Sequence, residues 1–166
     1  NPGDEVIYHE PCFVSYRPSI ILAGGVPVCV ETRREDDFRL TRPMLGKAVT
    51  PKTRALMLNF PCNPTGAVLA RKDVEEISNF CIQHDLLLLT DEIYAELTYD
   101  SQHISFVSIP GMKERTIFMH GMSKAWAMTG FRIGYACAPT DISEYMMKLH
   151  QYAIMSAPTT GQKAAA

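Results

Sequence analysis

Side chains of complementary chemistry follow several of the apolar runs in this sequence. The set comprises a carboxylate, a phenol, an amide, an amine and a guanidinium: Asp91, Tyr94, Asn63, Lys124 and Arg132. A lysine amine becomes a nucleophile once burial and neighbouring charges lower its pKa, and a carboxylate stabilises a cation held beside it. We therefore expect the chemistry of the chain at the place where these side chains meet.

The elements that must bring these side chains together alternate between strands and helices. Helices are predicted at 43–49, 71–84 and 142–152, and strands at 6–8, 27–30, 54–59, 86–89, 116–119 and 133–137. The alternation predicts an α/β fold with three layers (αβα) and a mostly parallel sheet. The continuous apolar run at 86–89 is typical of a strand covered on both faces. The carboxyl ends of parallel strands share one edge of the sheet, and ligands bind at that edge in such folds.

Composition bounds the class of protein. The chain has 166 residues, enough for a single domain (1–166) with a hydrophobic core. Its net charge is −2 and it has no basic block, so a nucleic-acid or membrane partner has no electrostatic support. Five separated cysteines without a C-x-x-C pair argue against a disulfide framework and against a metal site. We expect reduced thiols and a cytoplasmic protein.

The two ends predict that the chain is part of a longer polypeptide. Asn1 is not an initiator methionine, and no signal-peptide pattern follows it. The last residues, 162–166, are good helix formers without a glycine cap behind them.

Several groups of residues resemble the signatures of one family. They are Asn-Pro-Gly-Asp-Glu-Val at 1–6, Glu-Pro-Cys-Phe-Val-Ser-Tyr at 10–16, Asn-Pro-Thr-Gly at 63–66, Asp-Glu-Ile-Tyr at 91–94 and the stretch 123–135. In this order and spacing they are similar to class I/II pyridoxal-phosphate-dependent aminotransferases of fold type I, the aspartate aminotransferase family. The resemblance implies the central part of the cofactor-binding large domain, with an N-terminal segment and a C-terminal small domain outside residues 1–166.

The resemblance also implies roles for the residues named above. Lys124 would hold pyridoxal 5'-phosphate as a Schiff base and later move a proton during transamination. Asp91 would pair with the protonated pyridine nitrogen, and Tyr94 and Asn63 would hydrogen-bond the phenolic oxygen. Taken alone, the residues equally allow a surface lysine, a helix N-cap aspartate, a half-buried tyrosine and a turn asparagine. The peptide bond between Asn63 and Pro64 is expected to be cis.

The implied phosphate site departs from the family pattern at one position. Arg132 would bind the phosphate with two donors, the alternative being a surface ion pair. Many relatives carry Ser or Thr three residues before the lysine, where this chain has Gly121. Ser123 or His120 would then compensate, or the phosphate would depend more on Arg132. Phe13 would stack on the pyridine face, or would instead be a core aromatic.

The implied function is transfer of an amino group between an amino acid and a 2-oxo acid by a full-length protein that forms a homodimer. The arginine that binds the substrate carboxylate and a glycine-rich phosphate turn are expected outside residues 1–166, so this stretch alone is predicted to be inactive. Two alternatives stay open. One is a pyridoxal-phosphate-dependent carbon–sulfur β-lyase or ACC-synthase-like enzyme, and the other is a non-catalytic effector domain of a transcription regulator.

Overall fold

A computed structural model describes residues 1–166 and contains one six-stranded sheet with helices on both faces. The strands are β1 (Glu5–Glu10), β2 (Val26–Glu31), β3 (Thr53–Asn59), β4 (Leu87–Asp91), β5 (Thr116–Gly121) and β6 (Gly134–Cys137). The α-helices are α1 (Tyr16–Leu22), α2 (Arg42–Ala48), α3 (Arg71–Gln83), α4 (Thr140–Ala153) and α5 (Thr159–Ala165). The strand order is β2-β1-β3-β4-β5-β6, and only β6 is antiparallel to its neighbour. The predicted α/β class with a mostly parallel sheet is confirmed.

Two apolar clusters hold helices against the sheet. The larger has 16 buried residues and joins α2 and α3 to one face, with Ile77 of α3 and Leu88 of β4 among its members. The smaller has 4 buried residues and joins Tyr16 of α1 to Tyr8 and Met57 on the opposite face. We call these the α3 face and the α1 face. Each fully buried aliphatic side chain contributes about 1.5–3 kcal/mol, so the α3 face carries most of the hydrophobic stabilisation.

The prediction that the leucine run is covered on both faces is wrong. Leu88, on the α3 face, is fully buried, whereas Leu87 is exposed and Leu89 is half-buried. The reason is the length of α1, which has only seven residues and packs over β1 and β3. On its α1 face, β4 is therefore only partly covered.

The antiparallel direction of β6 decides where Arg132 lies. Gly134 at the start of β6 pairs with Gly121 at the end of β5. The amino end of β6 is therefore at the edge of the sheet where the parallel strands have their carboxyl ends. Arg132, two residues before β6, is consequently brought to the same edge as Asp91.

Three X–Pro peptide bonds are cis. The bond between Asn63 and Pro64 is cis as predicted, and so is the bond between Glu10 and Pro11. The bond between Phe60 and Pro61 is also cis, which the sequence did not indicate.

Other features of the described chain bear on its class. None of its helices combines the length and apolar character required to cross a bilayer. All five cysteines are free thiols, and no cluster of histidine, cysteine or acidic side chains is arranged to hold a metal ion.

His9 is a buried base on the α3 face of β1. Its ring stacks on Phe60 with centroids 4.8 Å apart, only 2% of the residue is exposed, and its Nε2 atom has no hydrogen-bond partner within the protein. Burial lowers the pKa of His9 to about 4. The folded state therefore holds this ring neutral under conditions in which the unfolded chain would protonate it.

This ring predicts a pH dependence of stability. The unfolded histidine gains its proton near pH 6.5, whereas the folded one does so only near pH 4. The contribution of His9 to the free energy of unfolding therefore does not change well above pH 6.5 and falls as the pH drops through 6.5 to 4, by about 3 kcal/mol in total. Urea unfolding at intervals between pH 7 and 4 should show a smaller loss in His9→Phe than in the unmodified protein. The exposed ring of His84, which lies 4.4 Å from Phe80, supplies the matched control His84→Phe. An equal loss of stability in His9→Phe and the unmodified protein would contradict this account.

Candidate active site at the carboxyl edge of the sheet

The end of β4 separates two adjacent carboxylates onto opposite faces of the sheet. Asp91 lies on the α1 face, where its Oδ2 accepts a hydrogen bond of 2.7 Å from the Tyr16 hydroxyl. Glu92 lies on the α3 face, where it is 2.6 Å from His103 Nε2 and accepts the backbone N–H of Phe106 at 3.2 Å. Successive residues of a strand point to opposite sides, so only one of the two carboxylates faces the open side. Glu92 is fully buried and holds the following loop onto the sheet, which leaves Asp91 as the candidate for chemistry.

The Asp91 carboxylate is held by two donors. The Tyr16 hydroxyl binds Oδ2, and the backbone N–H of Ile93 binds Oδ1 at 3.1 Å. The interpretation of Asp91 as a helix N-cap is wrong, since it is the last residue of β4 and the short 3₁₀ helix that follows, Ala95–Leu97, is capped by Tyr94. Burial and the neighbouring Asp91 anion both raise the pKa of Tyr16, so this phenol stays protonated and donates.

Asn59 links the ends of two neighbouring strands and was not singled out from the sequence. Its Nδ2 donates to the backbone oxygen of Asp91 at 2.8 Å, and its Oδ1 accepts the N–H of Asn63 at 2.9 Å. Asn59 is buried, while Asn63 is partly exposed at the same edge. The signal in the sequence was an amide directly after the apolar run at 55–58. A buried amide must find partners, and here they are the turn at Asn63 and the backbone beside the candidate carboxylate.

Lys124 and Tyr94 are brought together although 30 positions separate them. The Lys124 Nζ atom lies 5.7 Å from the centroid of the Tyr94 ring, a distance at which a cation is attracted to the ring face. The segment that carries Lys124 is tied down on both sides. The N–H of Met122 donates to Ile133 O at 3.2 Å, and the N–H of Met128 donates to Met122 O at 3.3 Å. Tyr94 follows the end of β4 and Lys124 follows the end of β5, so the contact between them lies at the carboxyl edge of the sheet, where β4 ends in Asp91.

Arg132 presents a guanidinium to solvent at the same edge. Its Nη1 donates to Thr129 O at 2.9 Å, and its backbone is left-handed with φ +57°. It forms no ion pair in the structure, so the surface ion-pair interpretation is wrong. Ser123, next to Lys124, is partly exposed.

Gly121 and His120 cannot supply a side-chain hydroxyl or a free donor to a phosphate. A Cβ atom at position 121 would lie 3.1 Å from Ile133 O and 3.2 Å from Gly134 Cα, because β5 and β6 approach closely there. Both ring nitrogens of His120 are occupied, Nδ1 by the N–H of Gly121 at 2.8 Å and Nε2 by Glu96 at 3.1 Å. Of the compensating groups considered from the sequence, Ser123 and Arg132 remain.

Phe13 occupies the loop between β1 and α1 on the α1 face. Its ring meets the Tyr16 ring edge-on, with centroids 5.9 Å apart, and 43% of the residue is exposed. The core interpretation of Phe13 is therefore wrong. Phe13 is therefore an accessible aromatic ring that contacts Tyr16, the residue that donates to Asp91.

The hydrogen bond between Tyr16 and Asp91 predicts a measurable contribution to stability. Tyr16→Phe removes the hydroxyl and leaves a partly buried carboxylate with one donor fewer, which should lower the free energy of unfolding by about 2 kcal/mol. Tyr99→Phe, the same change at a tyrosine that is 84% exposed, is the control. Urea unfolding at pH 7 measures both variants, and equal effects would show that the bond contributes nothing.

Comparison with known proteins places the chain in a family. The family model for aminotransferase class I and II matches residues 1–166. The aspartate aminotransferase of Pyrococcus abyssi is 50% identical over 165 residues, which are 99% of this chain and 42% of that protein. The aromatic-amino-acid aminotransferase 2 of Thermococcus litoralis is 51% identical, over 99% of this chain and 42% of its own length. The crystal structure of the aromatic aminotransferase from Pyrococcus horikoshii superposes with a TM-score of 0.97 at 51% identity, covering 99% of this chain and 44% of that one. The chain thus spans less than half the length of these relatives, and it belongs to the aminotransferase class I and II family.

Proposed function

We propose that the protein carrying this chain transfers an amino group between an amino acid and a 2-oxo acid, with pyridoxal phosphate bound to Lys124. Enzymes of this family depend on pyridoxal phosphate. The observation that supports the proposal most directly is that Asp91, on the open α1 face, ends β4 at the same edge of the sheet where Lys124 lies over the Tyr94 ring. A nucleophilic amine and a fixed carboxylate at one strand edge are the two groups that this cofactor requires of a protein.

The residues present fit the chemical groups of pyridoxal phosphate. The exposed amine of Lys124 suits the aldehyde, and the half-buried carboxylate of Asp91 suits the pyridine nitrogen. The guanidinium of Arg132, with a single backbone acceptor, retains donors for the phosphate. The accessible ring of Phe13 offers a flat apolar surface to the ring of the cofactor. We assign Ser123 to the phosphate as well, and Asn63 and Tyr94 to the phenolic oxygen.

Asp91 would keep the pyridine nitrogen protonated. A carboxylate about 4 Å from a cation is worth about 4 kcal/mol at an effective dielectric constant of 20, before the cost of desolvation. The hydrogen bond from Tyr16 and the N–H of Ile93 hold the carboxylate in one orientation, so its charge is available without rearrangement. When bound, pyridoxal phosphate supplies the electron sink for the carbon that bears the amino group of the substrate.

Lys124 would move the proton in the reaction. Its Nζ atom would take a proton from the substrate carbon and return it elsewhere, as a general acid and base. The Tyr94 ring lies 5.7 Å from this amine and attracts its protonated form weakly. The hydrogen bonds that tie Met122 to Ile133 and to Met128 fix the backbone that carries it.

The relatives do not favour the alternative functions. Proteins at 50% and 51% identity over 99% of the chain carry the names of aspartate and aromatic-amino-acid aminotransferases. Neither a carbon–sulfur lyase nor an effector domain of a transcription regulator is among these names. Two relatives of nearly equal identity carry different amino acids in their names. We therefore propose that the features which these 166 residues share with both relatives do not determine which amino acid is the substrate.

We also propose the setting in which the chain works. Since it covers 42% to 44% of the relatives named above, we place residues 1–166 in the middle of the large domain of a longer protein. Large apolar side chains of α4, such as Leu149 at 75% exposure, favour further covering surfaces and a homodimer. Five free thiols favour the reducing cytoplasm.

Replacing Lys124 tests the covalent attachment of the cofactor. Pyridoxal phosphate added to the purified protein should give the visible absorbance of the lysine-linked cofactor, and Lys124→Ala should abolish it. Lys148 is a matched control, since its ammonium also lies over a tyrosine ring, at 4.9 Å from the centroid of Tyr145, but on α4. Lys148→Ala should keep the absorbance. The same spectrum in the Lys124→Ala and Lys148→Ala proteins would refute the assignment of Lys124.

Replacing the two adjacent carboxylates tests the assignment of faces. Asp91→Asn should lower the rate of amino transfer by about 100-fold or more, since the pyridine nitrogen loses its anionic partner. Glu92→Gln should instead lower the free energy of unfolding, because Glu92 is buried against His103, and should leave the rate per folded molecule close to that of the unmodified enzyme. Steady-state rates and urea unfolding of both variants decide the matter. A larger loss of rate in Glu92→Gln than in Asp91→Asn would reverse the assignment.

A further inference from the structure

Gly161 in α5 is packed more closely than any other glycine of the chain. It is buried, while its neighbours Thr160 and Gln162 are exposed. A Cβ atom built at Gly161 would lie 2.7 and 2.8 Å from two side-chain carbons of Ile133 and 2.8 Å from Phe131 O. Carbon atoms in contact prefer separations of about 3.5–4.0 Å, so no residue with a side chain fits here unless something moves.

The two residues that Gly161 touches flank Arg132 directly. Phe131 O belongs to the peptide plane that joins Phe131 to Arg132, and rotation of that plane changes φ of Arg132. This φ is +57°, in the left-handed region that non-glycine residues rarely occupy. The contact at Gly161 therefore acts on the backbone that aims the guanidinium.

Ile133 is fixed from its other side. Its carbonyl accepts the N–H of Met122 at 3.2 Å, and β5 approaches it so closely that a Cβ at Gly121 would be 3.1 Å from the same oxygen. Ile133 is also only 9% exposed. A methyl group at Gly161 meets the flexible side chain of Ile133 but also the backbone oxygen of Phe131, so a displacement must fall on the turn that carries Arg132 or on α5 itself.

We propose that Gly161 is a positioning residue for Arg132: by letting α5 seat directly on Phe131 and Ile133, it holds the guanidinium where it binds the phosphate of the cofactor. The proposal rests on the proposed function, because Arg132 is assigned to the phosphate there. It concerns a residue that does not touch the cofactor and that acts only through the backbone of its neighbours.

The experiment compares two glycine-to-alanine changes within helices. Gly161→Ala adds the methyl group that collides with Ile133 and Phe131, whereas Gly46→Ala adds one in α2, where nothing lies within 4 Å. Both changes raise helix propensity, so this effect cancels in the comparison. The full-length natural polypeptide that carries this chain is prepared without cofactor and titrated with pyridoxal phosphate and with pyridoxal, which lacks the phosphate, by visible absorbance. Inorganic phosphate is titrated separately by calorimetry.

We expect Gly161→Ala to weaken pyridoxal phosphate binding by about tenfold, which corresponds to 1.4 kcal/mol. The affinity of Gly161→Ala for inorganic phosphate should fall in parallel, while its affinity for pyridoxal stays within about twofold of that of the unmodified protein. All three affinities of Gly46→Ala should also stay within about twofold, a difference under 0.5 kcal/mol. If Gly161 had only a structural role, Gly161→Ala would lower the affinities for pyridoxal and for pyridoxal phosphate equally. That result would overturn the proposal. Unchanged pyridoxal phosphate binding in Gly161→Ala overturns it too.

Two further measurements keep the proposal decidable. If Gly161→Ala does not fold, Ile133→Val loosens the same contact by removing one methyl group, and a selective loss of pyridoxal phosphate affinity over pyridoxal is again expected. Equal affinities in that variant then count against Gly161. If the unmodified protein shows no lysine-linked cofactor at all, the proposed function fails by itself. The phosphate titration then still decides whether Gly161 positions Arg132.

Discussion

The alternation of side chains at the end of β4 is the constraint on which the candidate site depends. A strand sends neighbouring residues to opposite faces, so the acidic pair Asp91 and Glu92 cannot serve one purpose. Glu92 is directed into the larger core, where His103 and the backbone of Phe106 occupy it. Asp91 is directed to the thinly covered α1 face, where a ligand has room. A shift of one residue in the register of β4 would exchange these two roles and bury the wrong carboxylate.

The second constraint is the reversal of direction between β5 and β6. Parallel strands deliver Asp91, Asn63 and the Lys124 segment to one edge because their carboxyl ends coincide. A further residue delivered by another parallel strand would need a long crossover connection, usually a helix. The antiparallel return of β6 brings Arg132 to the same edge within a few residues of Lys124, and the small residues Gly121 and Gly134 let the two strands approach closely. The same closeness makes position 121 tight for any residue with a side chain, since a Cβ there would lie 3.1 Å from Ile133 O.

The sequence predicted the parts of this site that follow from local pattern. Helix α3 and the six strands carry strong periodic or apolar signals, and Asp91, Asn63 and Lys124 follow directly from the strand ends. It could not predict which face each side chain takes, because that depends on the register of strands far apart in the chain. Tyr16 and Asn59 were missed for the same reason, since their partners lie 75 and 32 positions away. The exposure of Phe13 and Leu87 was also beyond reach, because it depends on how far the short helix α1 extends over the sheet.

The groups of the site differ in how far they are fixed before any ligand arrives. Asp91 is held by two donors and a buried neighbour, so its charge needs no ordering. Lys124 and Arg132 have fixed backbones but exposed side chains, and ordering a long cationic side chain costs about 1.5–2 kcal/mol. A ligand that binds both cations must offset that cost with charge-assisted contacts, which a phosphate and a carbonyl group both provide. A fixed backbone lowers the entropic cost of ordering these side chains, because fewer side-chain orientations remain accessible before the ligand binds. The close seating of α5 on the turn at Arg132 and the anchoring of Met122 to Ile133 are the two features that provide it, and both meet at Ile133.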